Sequence, residues 1–179
     1  MQSILKHHPH TLCSDFTEAA APYLANRNLY KHTNCYSYAL GLTEHGKGYP
    51  GQIAHDPLKS PRGLRKEDMS VQTLRALLTQ GDGLRYVVEK DLLAYKEQAL
   101  IAAFVQAGQD CHFFRRHKDG LWSHQGGHGG KITNEDDYGF IIQDPRRAVI
   151  RGYDEFVGYF ALPMQGLSYY TDPHKHEVF

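Results

Sequence analysis

The pattern of apolar and polar positions divides the chain into a first half that reads as helices and a second half that reads as short strands. Over residues 70–80, Val71, Leu74, Leu77 and Leu78 fall on one face of a 3.6-residue repeat. That spacing predicts a helix capped by Ser70 and ended by Gly81-Asp82-Gly83. Upstream, residues 14–27 predict a helix with Ser14 at the N-cap and Glu18 in the opening turns. A further helix starts at Asn34, runs through Cys35-Tyr36-Ser37-Tyr38-Ala39-Leu40 and stops at Gly41. Residues 44–68 are rich in Gly, Pro, Lys and Arg, with little apolar content to bury. They predict a long loop bordering a cleft and more mobile than the strands.

The strands follow. Leu84–Glu89 reads as a short one, and the apolar run Ala99–Val105 as a buried one. Cys111–His117 and Leu121–Gln125 predict a hairpin around Lys118-Asp119-Gly120, with Gly120 in the left-handed region that closes a three-residue loop. A Gly-rich connection, Gly126 to Gly130, leads on to strands over Tyr138–Gln143 and Phe156–Leu162, with a turn at Asp144-Pro145. Helices first and an antiparallel meander afterwards make an α+β pattern, with N-terminal helices packed on an antiparallel sheet.

Composition narrows the function classes. A chain of 179 residues predicts one domain, with a core over about residues 14–163 and tails at both ends. Twelve Tyr and eight Phe supply bulk for that core without disulfides or metal. The formal net charge is zero, and no basic stripe along the chain points to nucleic acid. No apolar run reaches membrane-spanning length, so no membrane insertion is expected. The opening residues MQSILKHHPH lack the apolar segment of a signal peptide. The expectation is a cytoplasmic protein, or one exported by a signal-independent secretion system. Of the twelve histidines, His7, His8, His10, His174 and His176 lie near the ends and are expected to be solvated. Three cysteines, Cys13, Cys35 and Cys111, argue against a disulfide framework, and no CxxC pair marks a structural zinc. No cofactor is implied. Asp136, Asp137 and Asp144 do not fit the spacing of a calcium loop and read as turn residues.

The chemistry centres on Cys35. A thiol opening a helix feels the positive end of its dipole, which favours the nucleophilic thiolate. A buried structural cysteine is the plain alternative. His112, near the start of a strand, is the candidate base. His112 and His124 lie 12 positions apart. With a three-residue loop, His117 pairs with Leu121, Phe114 faces His124, and His112 is the diagonal neighbour of His124 on the same face. His124 then fixes the His112 tautomer that presents its other nitrogen to the thiol. A two-residue loop would reverse the faces. Two other readings stand beside this one. Cys111, His112, His117, His124 and His128 carry zinc-compatible atoms, although adjacent strand residues such as Cys111 and His112 point to opposite faces. Trp122, Phe113, Tyr138, Tyr153 and Phe156 could form the face of a non-catalytic binding module.

A cysteine opening a helix, then a strand histidine, then a polar residue on the next strand resembles the papain-like cysteine peptidase superfamily. Two histidines at this spacing are most similar to the NlpC-type bacterial cell-wall peptidases. The resemblance covers roughly residues 20–162. It implies a papain-like fold in which Cys35 is the nucleophile, His112 the base and His124 the orienting residue. Asn34 and a tyrosine upstream of the cysteine, Tyr23 or Tyr30, would then lie near the oxyanion and substrate. The usual Asp-Cys-Ser-Gly of that family is replaced here by Asn34-Cys35-Tyr36-Ser37. The implied reaction is amide hydrolysis through a thioester. The implied substrate is a peptidoglycan stem peptide, with a protease or acyltransferase acting on a protein as the alternative. Without a signal peptide, the resemblance further suggests a contact-delivered antibacterial toxin, with an immunity protein as partner.

Overall fold

The fold was analysed as a computed structural model, which describes residues 3–10, 12–56, 65–127 and 129–171. Its elements are β1 (Leu5–His8), α1 (Phe16–Leu24), α2 (Arg27–His32), α3 (Cys35–Ala39), α4 (Val71–Ala76), β2 (Arg85–Val87), β3 (Leu100–Gln106), β4 (Asp110–Arg116), β5 (Trp122–Gln125), β6 (Ile132–Thr133), β7 (Glu155–Ala161) and β8 (Leu167–Tyr170). A six-stranded sheet in the order β2-β7-β3-β4-β5-β6 has only antiparallel pairs. The α+β class read from the sequence is therefore what the chain adopts.

The helices start where side chains can cap them. Asp15, not Ser14, is the N-cap of α1: its carboxylate accepts from the Glu18 amide at 3.0 Å. Glu18 reaches back to accept from the Ser14 amide and hydroxyl, both at 2.6 Å, a reciprocal capping arrangement. The predicted 14–27 helix stops at Leu24, and α2 starts anew because Asn26 Oδ1 accepts from the Asn28 and Leu29 amides. Asn34 caps α3 and Ser70 caps α4, as their positions predict. A π-helical turn, Leu77–Gly81, carries α4 to its end.

The sheet divides the core into two layers. α3 packs on β4 and β5, and α4 on β7 and β3. Under them lie Tyr36, Leu40, Leu74, Leu78, Ile101, Ala103, Val105, Cys111 and Phe113. The other face buries Leu100, Ala102, Phe104, Phe114, Trp122 and Tyr159 against residues 142–156. Alternate residues of β3 and β4 thus enter opposite cores, as a period of two requires. The run Leu100–Val105 is buried throughout because both faces are covered.

Three expectations change. Residues 5–8 and 167–170 are not loose tails: β1 and β8 pair antiparallel, and Leu167 and Tyr169 are buried in the helix-side core. Tyr138–Gln143 forms no strand. Residues there are held by one bridge, Glu135 to Ile141, while the Asp136 carboxylate accepts from the Tyr138, Phe140 and Val149 amides and curls the chain. The first part of the 44–68 loop is buried rather than free, although residues 57–64 lie outside the described set. Asp82 accepts from the Gly51 amide (2.6 Å), the Ile53 amide (3.1 Å) and the Tyr36 hydroxyl (2.6 Å), and Ile53 enters the core. Gly51 and Gly81 meet backbone to backbone at this point, where a Cβ on Gly81 would come within 2.7 Å of Gly51 Cα. Among the described residues, no helix is long and apolar enough to cross a membrane.

Asp82 therefore joins α3, the loop and the end of α4. Asp82→Ala leaves three buried donors without an acceptor, each costing about 1–3 kcal/mol. We expect a total loss on the order of 3–5 kcal/mol in urea unfolding, and a smaller one for Asp82→Asn, which keeps an acceptor oxygen. A loss for Asp82→Ala below about 1 kcal/mol would remove this clamp from the account.

Candidate active site

The hairpin between β4 and β5 organises the candidate residues. His117 N–H donates to the Leu121 carbonyl at 3.0 Å, and Gly120 takes φ 85°, so the loop has the predicted three residues. The register follows: Phe114 stands opposite His124. His112 and His124 share a face, with ring centroids 5.0 Å apart and planes at 80°.

Their hydrogen bonds assign the protons. His124 Nε2 lies 3.1 Å from the Glu135 carbonyl oxygen. A carbonyl only accepts, so His124 Nε2 carries the hydrogen and, in the neutral ring, Nδ1 is an acceptor. His112 Nε2, 2.8 Å from His124 Nδ1, is then the donor. That leaves His112 Nδ1 with a free lone pair, buried and with no hydrogen-bond partner. Burial first, and His124 second, hold the His112 imidazole well below its ordinary range. His112 is therefore a neutral ring in a single tautomer, stacked on Tyr153 at 4.9 Å and 27°.

Cys35 approaches the same strand from another direction. In the ladder set by the His117–Leu121 bond, odd-numbered residues of β4 turn their N–H and C=O toward β5. β5 ends at Gln125, so the main chain around Cys111 and Phe113 is left unpaired on that side. The first turn of α3 fills the gap. Cys35 Sγ lies 3.9 Å from the Cys111 carbonyl oxygen. No hydrogen bond joins Sγ to the His112 ring. Cys35 is buried, and desolvation, followed by the Asp110 charge, raises its thiol from 9.0 to about 12. At rest, Cys35 is thus a thiol and His112 a neutral imidazole, and no hydrogen bond joins them.

The cavity at Cys35 has about 800 Å³ of space, counted out to its open mouth. Asn34, Gly48, Tyr49, Pro50 and Lys66 form one side of it, so the loop borders the cleft as expected. Gln109, Asp110, Cys111 and Tyr153 form another. Asn34 lies in this wall with its amide engaged. Its Oδ1 accepts from the Ser37 and Gly48 amides at 3.1 Å, and its Nδ2 donates to the Gly48 carbonyl at 2.7 Å. It anchors the loop to the helix start.

Tyr23 and Tyr30 are not in the cavity wall. Tyr23 is buried with Tyr38, Leu29 and Ile132. Tyr30 accepts from the Ile132 amide through its hydroxyl and from Gln125 through its carbonyl. Both brace α1 and α2 against the sheet. The tyrosines lining the cleft are Tyr36, Tyr49 and Tyr153. His117 is engaged elsewhere, on Ser123 Oγ at 2.7 Å, and His128 lies outside the described residues. Among the described residues, no group of three His, Cys, Asp or Glu side chains could hold a metal ion. His10, expected to be solvated, is half-buried, and His174 and His176 lie outside the described set.

Comparison with known proteins adds a relationship. The chain is 32% identical over 135 residues to the protein named insoluble matrix shell protein 1 of Ruditapes philippinarum, covering 75% of this chain and 82% of that one. The chain belongs to that protein's family. No protein-family model matches the chain, and no solved structure matches it.

Among the described residues, five imidazoles are held low chiefly by burial: His8, His112, His124, His117 to about 4 and His10 to about 3. The unfolded chain takes up these protons from the ordinary value of 6.5 downward, while the folded chain resists. Stability is therefore present above pH 6.5 and declines as pH falls from there toward 4. We expect the decline to approach about 1.4 kcal/mol per pH unit for each such histidine. His117→Gln should flatten the slope by about one such step in urea titrations at several pH values. A stability profile level from pH 7 to 4.5 would contradict this electrostatic picture.

Proposed function

We propose that the protein is a cysteine hydrolase that cleaves an amide bond, with Cys35 as nucleophile, His112 as base and His124 as orienting residue. The observation that carries this reading is the ordered proton chain from His112 through His124 to the Glu135 carbonyl, which leaves His112 Nδ1 free to accept a proton.

In this reading, substrate entry brings Cys35 Sγ within reach of His112 Nδ1. The imidazole takes the thiol proton as sulfur bonds to the amide carbon, and His124 stabilises the imidazolium through the shared hydrogen bond. The imidazolium returns that proton to the leaving amine and a thioester remains. Water, deprotonated by the same nitrogen, then releases the acid and the free thiol. The neutral resting pair keeps the nucleophile unreactive until substrate arrives. The papain-like architecture belongs to the same proposal, supported by the helix-borne thiol on an antiparallel sheet. A peptidoglycan stem peptide is the first substrate to test and a protein amide the second. Delivery as an antibacterial toxin with an immunity partner rests on the resemblance alone.

A second reading is favoured by one observation. Cys35 is buried, with its thiol raised to about 12, as an inert structural cysteine would be. In that case the domain is a non-catalytic module, consistent with a relative named for an insoluble shell matrix.

Turnover distinguishes the two. Purified protein is incubated with peptidoglycan and with peptide-amide libraries, and products are followed by mass spectrometry. Cys35→Ala should abolish cleavage, while Cys13→Ala and Cys111→Ala retain most of it. His124→Ala should lower turnover by roughly 10- to 100-fold, and His124→Asn should recover part of it, since an amide still accepts from His112. Cleavage that persists in Cys35→Ala, or His124→Ala with full turnover, would end the triad proposal.

A further inference from the structure

We propose that Tyr153 is a positioning residue for His112: its ring closes the face of the imidazole that borders the Cys35 cavity, and Asp110 tethers its hydroxyl there. The inference rests on His112 as the base proposed above, and it adds a residue outside the Cys-His-His set.

Three observations place Tyr153 in this role. Its ring stacks on His112 at 4.9 Å and 27°, whereas the rings of Phe114 and His124 meet His112 nearly edge-on at 88° and 80°. Tyr153 is thus the aromatic group lying flat on the imidazole. Its hydroxyl donates to Asp110 Oδ2 at 2.9 Å, while Asp110 Oδ1 accepts from the Cys111 amide at 2.8 Å, so the tether is fixed to β4 itself. Tyr153 and Asp110 both line the Cys35 cavity; His112, 2% exposed, does not. Tyr153 thus touches both the imidazole and the Cys35 cavity.

An imidazole on a strand has two torsions to fix. The hydrogen bond to His124 holds Nε2 but acts as a pivot about which the ring can swing. The stacked ring supplies the second restraint and fixes the plane in which the Nδ1 lone pair lies. A stacked aromatic contact biases an opening equilibrium by up to about tenfold. Excluding water from the face also keeps Nδ1 unprotonated and ready as an acceptor. Access of a substrate to His112 then requires Tyr153 to swing or slide within the cavity. The Asp110 tether sets how readily it does so.

The test reads His112 directly and needs no turnover. Nitrogen-15 NMR of the imidazoles reports the His112 tautomer, and the exchange rate of the His112 Nε2 proton reports its exposure. In the wild type, and in Tyr153→Phe, which keeps the ring, we expect one tautomer and a protected proton. In Tyr153→Leu we expect mixed tautomers and exchange faster by up to about tenfold. A packing role alone would lower the melting temperature and leave the tautomer unchanged. Should Tyr153→Leu fail to fold, Asp110→Ala at the exposed end of the tether decides, with an expected several-fold faster exchange. An unchanged tautomer and exchange rate in folded Tyr153→Leu, or in Asp110→Ala where Leu cannot be folded, would overturn the proposal. Because these signals are read without substrate, they stand or fall separately from the hydrolase reading, which is decided by turnover of Cys35→Ala.

Discussion

One backbone hydrogen bond, from His117 N–H to the Leu121 carbonyl, determines much of what the candidate site can be. It closes the β4–β5 loop at three residues and so decides the parity of the whole strand. Even-numbered side chains, His112 and Phe114, go to one face; Cys111 and Phe113 go to the other, under α3. The same bond decides which main-chain groups of β4 are left open where β5 stops. Cys35 occupies that opening. A loop one residue shorter would put His112 and His124 on opposite faces of the sheet.

The position of Cys35 comes from its neighbours more than from its helix. α3 has only five residues, and its N-cap and first two residues are each committed in a different direction. Asn34 clamps Gly48, Cys35 meets β4, and Tyr36 binds Asp82, which in turn holds Gly51 and Ile53. The thiol is thus held at a three-way junction of helix, loop and strand. The helix dipole, worth about 0.3–1 kcal/mol near a terminus, cannot govern the charge state of a sulfur placed so. Desolvation does: the rise from 9.0 to about 12 corresponds to roughly 4 kcal/mol against the thiolate. The expectation of a dipole-activated resting thiolate fails on this comparison of magnitudes.

What was legible in the sequence follows the same division. The hairpin, its register and the His112–His124 contact were readable because loop length and strand parity are local rules. The capped starts of α3 and α4 were readable for the same reason. The pairing of β1 with β8 was not, since Leu5–His8 and Leu167–Tyr170 are separated by nearly the whole chain and each is four residues long. The 138–143 segment misled because its apolar residues suggest a strand, yet Tyr138 and Phe140 are about 70% exposed around a carboxylate-centred turn. Tyr23 misled because distance along the chain before a cysteine does not report direction, and its ring serves the α1–α2 packing instead. Tyr153 and Asp110 carry no motif and come together only through the tertiary fold.

A buried proton relay and a buried thiol place opposite demands on one cavity. The relay needs dryness, because water at His112 Nδ1 would satisfy the acceptor and weaken the preference for one tautomer. The thiol needs a path to something outside, because a dry sulfur at pH 7 is ionised only about once in 10⁵ molecules. The structure reconciles the two by dividing the walls. The Asn34 and Asp82 clamps make the loop side stiff. On the opposite side, Tyr153 is held over His112 by one stacked face and one exposed hydrogen bond, contacts that can be exchanged for equivalent ones with a ligand. Dryness at rest and access on binding are therefore compatible if the movable wall is the aromatic one. Under the hydrolase proposal, that asymmetry, more than the identity of the three polar side chains, would separate a latent nucleophile from a cysteine that merely fills the core.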